Sequence, residues 1–197
     1  RRLPRVVVGL WLLGVGSAMM VQADLGAPPW DVFHQGVSRS LDVQLGSIII
    51  ATGILVLIAF IPLRERLGLG TILNAILIGI SVNYTLPMLD GEMGWWSRVA
   101  LCAGGPVVVA IASGLYISGG LGPGPRDGLM TGLARRGFKV WKVRAALEVS
   151  VMLLGIVFGG TIGWGTAWFA ISIGPMVQFW LRRFEWQTRP AKDDTNK

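Results

Sequence analysis

The sequence predicts an all-α polytopic membrane protein of six transmembrane helices, arranged as two inverted three-helix repeats that each carry a short re-entrant half-helix. Composition is the first ground. The 197-residue chain is 52% hydrophobic and only 15% charged, where an ordinary soluble domain carries about 25% charged residues. Its mean hydropathy is +0.59, and six stretches read as apolar over the roughly 17–25 residues that a crossing needs. The second ground is an internal duplication. Leu25-Gly-Ala-Pro-Pro-Trp-Asp-Val-Phe-His-Gln-Gly36 returns 96 residues later as Leu121-Gly-Pro-Gly-Pro-Arg-Asp-Gly-Leu-Met-Thr-Gly132, with Arg39 and Arg135 corresponding at the same offset. Gly68-Leu-Gly-Thr71 matches Gly163-Trp-Gly-Thr166 at an offset of 95, and Ala75, Ile76, Ile78, Gly79 and Val82 then meet Ala170, Ile171, Ile173, Gly174 and Val177. Two matching blocks in the same order mark a duplicated unit. The third ground is that each half contains one helical segment too short to span.

In chain order, Arg1, Arg2 and Arg5 precede the first apolar run, 6–23. A basic start, an apolar stretch and a small residue before Asp24 imitate a signal peptide. The corresponding run of the second half, 99–119, lies in mid-chain, so 6–23 is read as the first transmembrane helix. Gly14-x-x-x-Ala18 aligns with Ala110-x-x-x-Gly114, small residues that let helices approach closely. The motif segment 29–39 opens on Pro29, which suits the first helical position. Its roughly 16 Å of helix cannot cross. Crossings at 45–62 and 69–89 follow, joined by a basic turn with Arg64, Glu65 and Arg66. The second half repeats the plan with 99–119, a short helix at 125–136, and crossings at 143–160 and 166–184. Residues 1–90 and 91–186 thus form the two membrane repeats, the second inverted, and 187–197 a polar, disordered cytoplasmic tail.

Three crossings per half turn the second repeat over. With the N-terminus in the cytoplasm, all but Arg39 and Arg98 of the 18 Lys and Arg residues lie inside, while the loop with Asp90 and Glu92 faces out. Charge alone leaves an alternative open. If both short helices spanned, all but Arg64, Arg66 and Arg126 would still be inside. Helix length favours the re-entrant arrangement, with both termini cytoplasmic.

A half-helix that begins inside a membrane must be buried in protein or line a watery cavity. Its N-terminus offers free N–H donors and the positive end of the helix dipole. The duplicated motif places Asp31 and Asp127 in the first turn of each half-helix. Each either caps its own helix or contacts a substrate or proton, since intramembrane carboxylates mark functional sites. Arg126 stands where the first half has Trp30, and its planar fork suits a carboxylate or phosphate; a salt bridge to Asp127 or to lipid headgroups is the alternative. His34, three residues after Asp31, either titrates during transport or hydrogen-bonds within the bundle. Arg144 and Glu148, four apart, are an ion pair with a structural or a gating role. Gly70-Thr71 and Gly165-Thr166 suit close packing against the half-helices, and Asn83 and Gln178 hold equivalent positions as polar glue or cavity lining. The nine tryptophans, Trp95, Trp96, Trp141, Trp180 and Trp186 among them, read as interface anchors.

Other chemistries find no footing in the sequence. It carries no plausibly spaced Ser-His-Asp set, no Cys/His cluster and no phosphate-binding glycine loop, so neither an enzyme nor a bound cofactor is expected. A lone histidine cannot by itself build a metal site, and the single Cys102 excludes an internal disulfide. The net charge of +7 is read as a cytoplasmic-face signature and not as nucleic-acid binding.

Leu25-Gly-Ala-Pro-Pro-Trp-Asp31, Gly122-Pro-Gly-Pro-Arg-Asp-Gly-Leu-Met130, Val143-Arg144 with Glu148, the Gly-Thr pairs and Ile173-Gly-Pro175 resemble the YczE/YitT-like family of bacterial inner-membrane proteins. The resemblance covers nearly the whole membrane part. It implies a bacterial inner-membrane location and points to transport. Some members resemble partners of pyridoxal-phosphate-responsive regulators, which implies a vitamin-like solute. The expectation is a small permease or secondary transporter for a small polar or anionic solute, with Trp30, Asp31, His34, Arg126 and Asp127 binding it and Arg144, Glu148, Asn83 and Gln178 coupling or gating. The alternatives are a substrate-binding component of a multi-subunit transporter, or a membrane assembly factor. Its partners are then the lipid bilayer and a small-molecule solute, with a homodimer or a partner membrane subunit left open.

Overall fold

The computed structural model describes residues 2–65 and 67–188. Its elements are α1 (Arg2–Ala23), α2 (Pro29–Leu41), α3 (Leu45–Leu63), α4 (Leu69–Leu89), α5 (Trp95–Ser118), α6 (Pro125–Ala134), α7 (Val140–Val157) and α8 (Trp164–Thr188). Each half supplies four. The short helices of the sequence are α2 and α6, with 13 and 10 residues, each with a proline in its first turn. α2 stops at Asp42, which takes left-handed backbone (φ 53°) and returns its amide to Ser38 O. Of the expected tail 187–197, the first two residues complete α8 and the rest lies outside the described residues, as does Arg66 of the basic turn.

The direction of each helix can be followed from its close contacts. Gly9 lies against Ala112 and Tyr116, Gly16 against Gly105 and Val109, and Arg98 Nε donates to Ala23 O at 2.8 Å. Numbers fall along α5 as they rise along α1, so the two helices are antiparallel. α1 and α4 run the same way: Val6 and Leu10 share a cluster with Leu73 and Leu77, Gly14 meets Ser81, and Val21 packs with Leu86. Ser81 also donates to Trp11 O at 2.7 Å across that seam. α5 and α8 repeat the relation, with Cys102 beside Gly165 and Gly114 beside Trp180 and Phe184.

The halves hold each other reciprocally. Gly70 N donates to Leu121 O, and Gly165 N to Leu25 O, both at 2.8 Å. Thr71 Oγ1 donates to Pro123 O at 2.7 Å, and Thr166 Oγ1 to Ala27 O at 2.9 Å. The start of α4 therefore fastens the loop before α6, and the start of α8 the loop before α2. Both loops turn on the glycine of the motif, Gly26 (φ 110°) and Gly122 (φ 121°), where an L side chain is strained. A Cβ at Gly26 would also stand 2.8 Å from Thr166 Oγ1, and one at Gly122 2.9 Å from Thr71 Oγ1. Glycine is required there twice over.

The two seams are filled differently. The backbone of α2 at Val32 and Phe33 lies against Gly155 of α7, while in the equivalent seam Gly128 of α6 receives the ring of Phe60 from α3. The far ends are tied as well. Arg39 donates to Gly159 O and Thr161 Oγ1, each at 3.0 Å, beyond α7, and Arg135 pairs with Glu65 beyond α3 at 3.2 Å.

Four helices, α1, α3, α4 and α5, are long and apolar enough to cross a membrane, where the sequence suggested six crossings. α7 falls short because its 18 residues carry Lys142, Arg144 and Glu148. In α8, Gly, Ser, Trp and Gln178 dilute the apolar run before Arg182 and Arg183 close it. The outside is apolar nonetheless: Leu55, Ile58 and Ile61 of α3, Leu153 and Leu154 of α7, and Ile171 and Phe179 of α8 are exposed. Trp95, Trp96, Trp141 and Trp164 stand among them, exposed near helix ends, where indoles anchor to an interface.

Candidate functional site

The N-termini of α2 and α6 open on one cavity of about 410 Å³, to which all eight helices contribute. Small residues make room for it, among them Gly53 of α3 and Ala75 of α4. Prolines take up some of the helix-start positions, so the free amides are those of Trp30 and Asp31 in α2 and of Gly124, Arg126 and Asp127 in α6, and the positive ends of both dipoles face this space. Trp30, Asp31, His34, Arg126, Asp127, Arg144 and Glu148 all line it. The two remaining sequence candidates do not. Asn83 is spent between α3 and α4, where its Oδ1 accepts the Gly46 amide at 2.7 Å. Gln178 lies exposed on α8 beside Phe179, Arg182 and Arg183.

The duplicated aspartates have different surroundings. Asp31 is buried (6% exposed) and accepts a hydrogen bond from Ser17 Oγ at 2.8 Å. Its other oxygen lies 3.6 Å from His34 Nδ1 and 4.0 Å from Arg126. Asp127 faces the cavity openly and, among the described residues, has no hydrogen-bond or ion-pair partner. Neither carboxylate accepts a bond from a backbone amide of its own helix, so capping does not account for them.

Arg126 reaches across from α6 to α2. Its guanidinium lies 4.7 Å from the Trp30 ring centre, while 40% of the side chain remains open to the cavity. His34 is almost completely buried (1% exposed), and both its ring nitrogens lack a hydrogen-bond partner, as does Trp30 Nε1. Buried polar atoms left unpaired cost on the order of 1–3 kcal/mol each, and these three belong to two residues of the cavity wall, with His34 Nδ1 3.6 Å from Asp31. Arg144 and Glu148 close the pair read from their spacing, at 2.9 Å on the α7 side.

Sequence reasoning passed over Ser17 and Ser113. They sit 96 residues apart, at the same position of the two halves, and both line the cavity. That offset was the available signal. Thr52 of α3 and Asn74 of α4 also line the wall, and nothing in their local sequence distinguishes them. No group of three or more His, Cys, Asp or Glu side chains suited to a metal ion occurs among the described residues.

A family model, described as a family of unknown function (DUF6198), matches residues 1–182. An uncharacterized membrane protein, YczE of Bacillus subtilis, is 33% identical over 180 residues, covering 88% of this chain and 82% of its own. The chain belongs to the YczE-like membrane-protein family. Other similar relatives are an uncharacterized protein of Haemophilus influenzae, 38% identical over 89% of this chain and 81% of its own, and YyaS of Bacillus subtilis, 25% identical over 86% and 87%. No solved structure matches. The match to this YczE-like chain takes in every residue that lines the cavity, from Leu13 to Val177.

Proposed function

We propose that the chain is a small secondary transporter or permease of the bacterial inner membrane, with both termini cytoplasmic, for a small anionic solute. In this reading six helices cross, and α2 and α6 are half-helices that enter and leave on one side. Helix direction supports it: α1 and α4 run parallel and α1 and α5 antiparallel, whereas a full crossing by α2 would reverse both relations. The halves are then inverted about an axis that passes between Trp30 and Arg126.

The observation that carries the function is the convergence of two half-helix N-termini and the part-exposed Arg126 on one cavity. Half-helix N-termini meeting near a bilayer midplane hold anionic groups in secondary transporters. Cation and amides favour a carboxylate or phosphate, and Trp30 offers an apolar platform. Asp127 is a carboxylate free to exchange a proton as the solute enters.

The test is the purified chain alone in liposomes, loaded with a panel of labelled carboxylates and phosphates. Uptake without ATP is the expected outcome. High-affinity binding without uptake replaces the proposal with a substrate-binding component of a larger transporter, and neither binding nor uptake replaces it with an assembly role.

A further inference from the structure

The two halves differ most at one seam. α3 and α4 pack backbone to backbone, with Gly46 against Gly79 and Gly53 against Ala75. α7 and α8, their counterparts, form no such seam. Gly174 corresponds to Gly79, yet a Cβ placed on it has no atom within 4 Å. Gln178 corresponds to Asn83, yet it is exposed and bonds nothing among the described residues. The cause lies in the sequence. Where the first half has Gly46, the second has Trp141 or Lys142, at offsets of 95 and 96. Both are exposed and far too large for the approach that Gly46 allows.

The open seam adjoins the cavity. Arg144 and Glu148 line the cavity from α7, and Phe169, Ile173 and Val177 line it from α8, with Gly174 between the last two. Outside the seam the surface is apolar, with Leu153, Leu154 and Ile171 exposed. The gap thus joins a polar interior, where Arg126 and Arg144 stand beside Asp31, Asp127 and Glu148, to a face suited to lipid tails.

We propose that this gap is a lateral port, through which an amphiphile with an anionic head (an alkyl phosphate or alkyl carboxylate) enters from the bilayer. Its head lies toward Arg126 and its tail along Phe169, Ile173 and Val177. The proposal rests on the reading of the cavity as an anion site. A strongly hydrated ion gains nothing from a door that opens on hydrocarbon, because desolvation is costly; a molecule already dissolved in the bilayer does. The cavity of about 410 Å³ is near the small end of the roughly 300–1,000 Å³ range of ligand pockets. It holds a head and a short stretch of chain, and the rest of a long tail stays in the gap.

The full chain in nanodiscs of zwitterionic lipid is probed with dodecyl phosphate carrying a diazirine at the chain end. Photolabel is expected on α7 and α8, and excess decyl phosphate without the diazirine should remove it. Gly174→Trp, which plugs the gap, should lower labelling at least tenfold, while Ile171→Trp on the lipid side should not. Thermal unfolding confirms that each variant is folded, and Gly174→Leu replaces Gly174→Trp if the latter is not. Label on α3 and α4, label that excess decyl phosphate leaves in place, or full labelling of the plugged variant overturns the port; if Arg126→Gln still lowers labelling in that case, the anion site stands. Loss of label in Gly174→Trp with none in Arg126→Gln keeps the port and overturns the anion site. Cross-linked dimers through α7 and α8 in place of ligand label assign the gap to a second copy and overturn the port.

Discussion

The Arg126 guanidinium stacks on the Trp30 indole at 4.7 Å, and the two residues occupy the same position of the duplicated motif. Where two halves face each other about an axis, equivalent residues meet. Two arginines there would repel, and two tryptophans would bring no charge. Divergence after duplication has turned that self-contact into a cation–π pair, worth roughly 0.5–2 kcal/mol, which also aims the cation into the cavity.

Arg126→Gln should therefore weaken binding of an anionic ligand by about 10-fold to 150-fold, the equivalent of roughly 1.5–3 kcal/mol for a charge-assisted bond. Arg126→Lys should recover only part, since it keeps the charge and loses the planar fork. Titration of one ligand against the three proteins decides; unchanged affinity in Arg126→Gln removes Arg126 from the site.

The two aspartates should separate by stability. Asp31→Ala strands the Ser17 hydroxyl in a buried wall and should cost on the order of 1–3 kcal/mol. Asp127→Ala breaks no described bond and should stay within about 0.5 kcal/mol of the parent. Chemical unfolding of both variants in detergent reads the difference. Equal losses would mean that Asp127 has a structural partner after all.

The contact of Gly128 with Phe60 lends itself to a double-mutant cycle. Gly128→Val drives a side chain into Phe60 and should cost about 1–3 kcal/mol, whereas Phe60→Ala empties the same site and should cost about 3–5 kcal/mol. Phe60→Ala makes the room that Gly128→Val needs, so the pair should be less harmful than the sum by roughly 0.5–3 kcal/mol. Additive losses would show that the Phe60 ring does not fill the space over Gly128.

Topology has a direct test. In a Cys102→Ala background, Arg39→Cys should react with an impermeant thiol reagent added outside intact cells, and Arg135→Cys only after the cytoplasm is opened. Modification of both from one side contradicts six crossings with re-entrant half-helices.

Much of this architecture was legible because the duplication speaks twice. The bounds of α4 coincide with the expected 69–89, and the short helices open on Pro29 and Pro125, where the repeated motif put their starts. The Gly-Thr pairs do pack against the half-helix loops, but their hydroxyls turned out to fasten the opposite half, a partnership no local pattern encodes. Reading the halves as equal also concealed their divergence. Asn83 and Gln178 align perfectly, yet one seals a helix seam and the other lies exposed, because the difference is decided by Gly46 on a neighbouring helix. Length alone gives six apolar stretches, while the charges of α7 and the polar residues of α8 leave four that are apolar by composition as well.

The reciprocal fastening of the loops has a consequence for how the chain is made. Ala27 waits for the hydroxyl of Thr166, 139 residues further on. At roughly 5–20 residues per second of synthesis, the start of α2 spends on the order of ten to thirty seconds without its latch. Throughout that interval its polar end needs other cover, from a chaperone, the insertion machinery or lipid headgroups. The cavity is thus among the last features to form, and a ribosome that stalls before α8 leaves behind several apolar helices but no site.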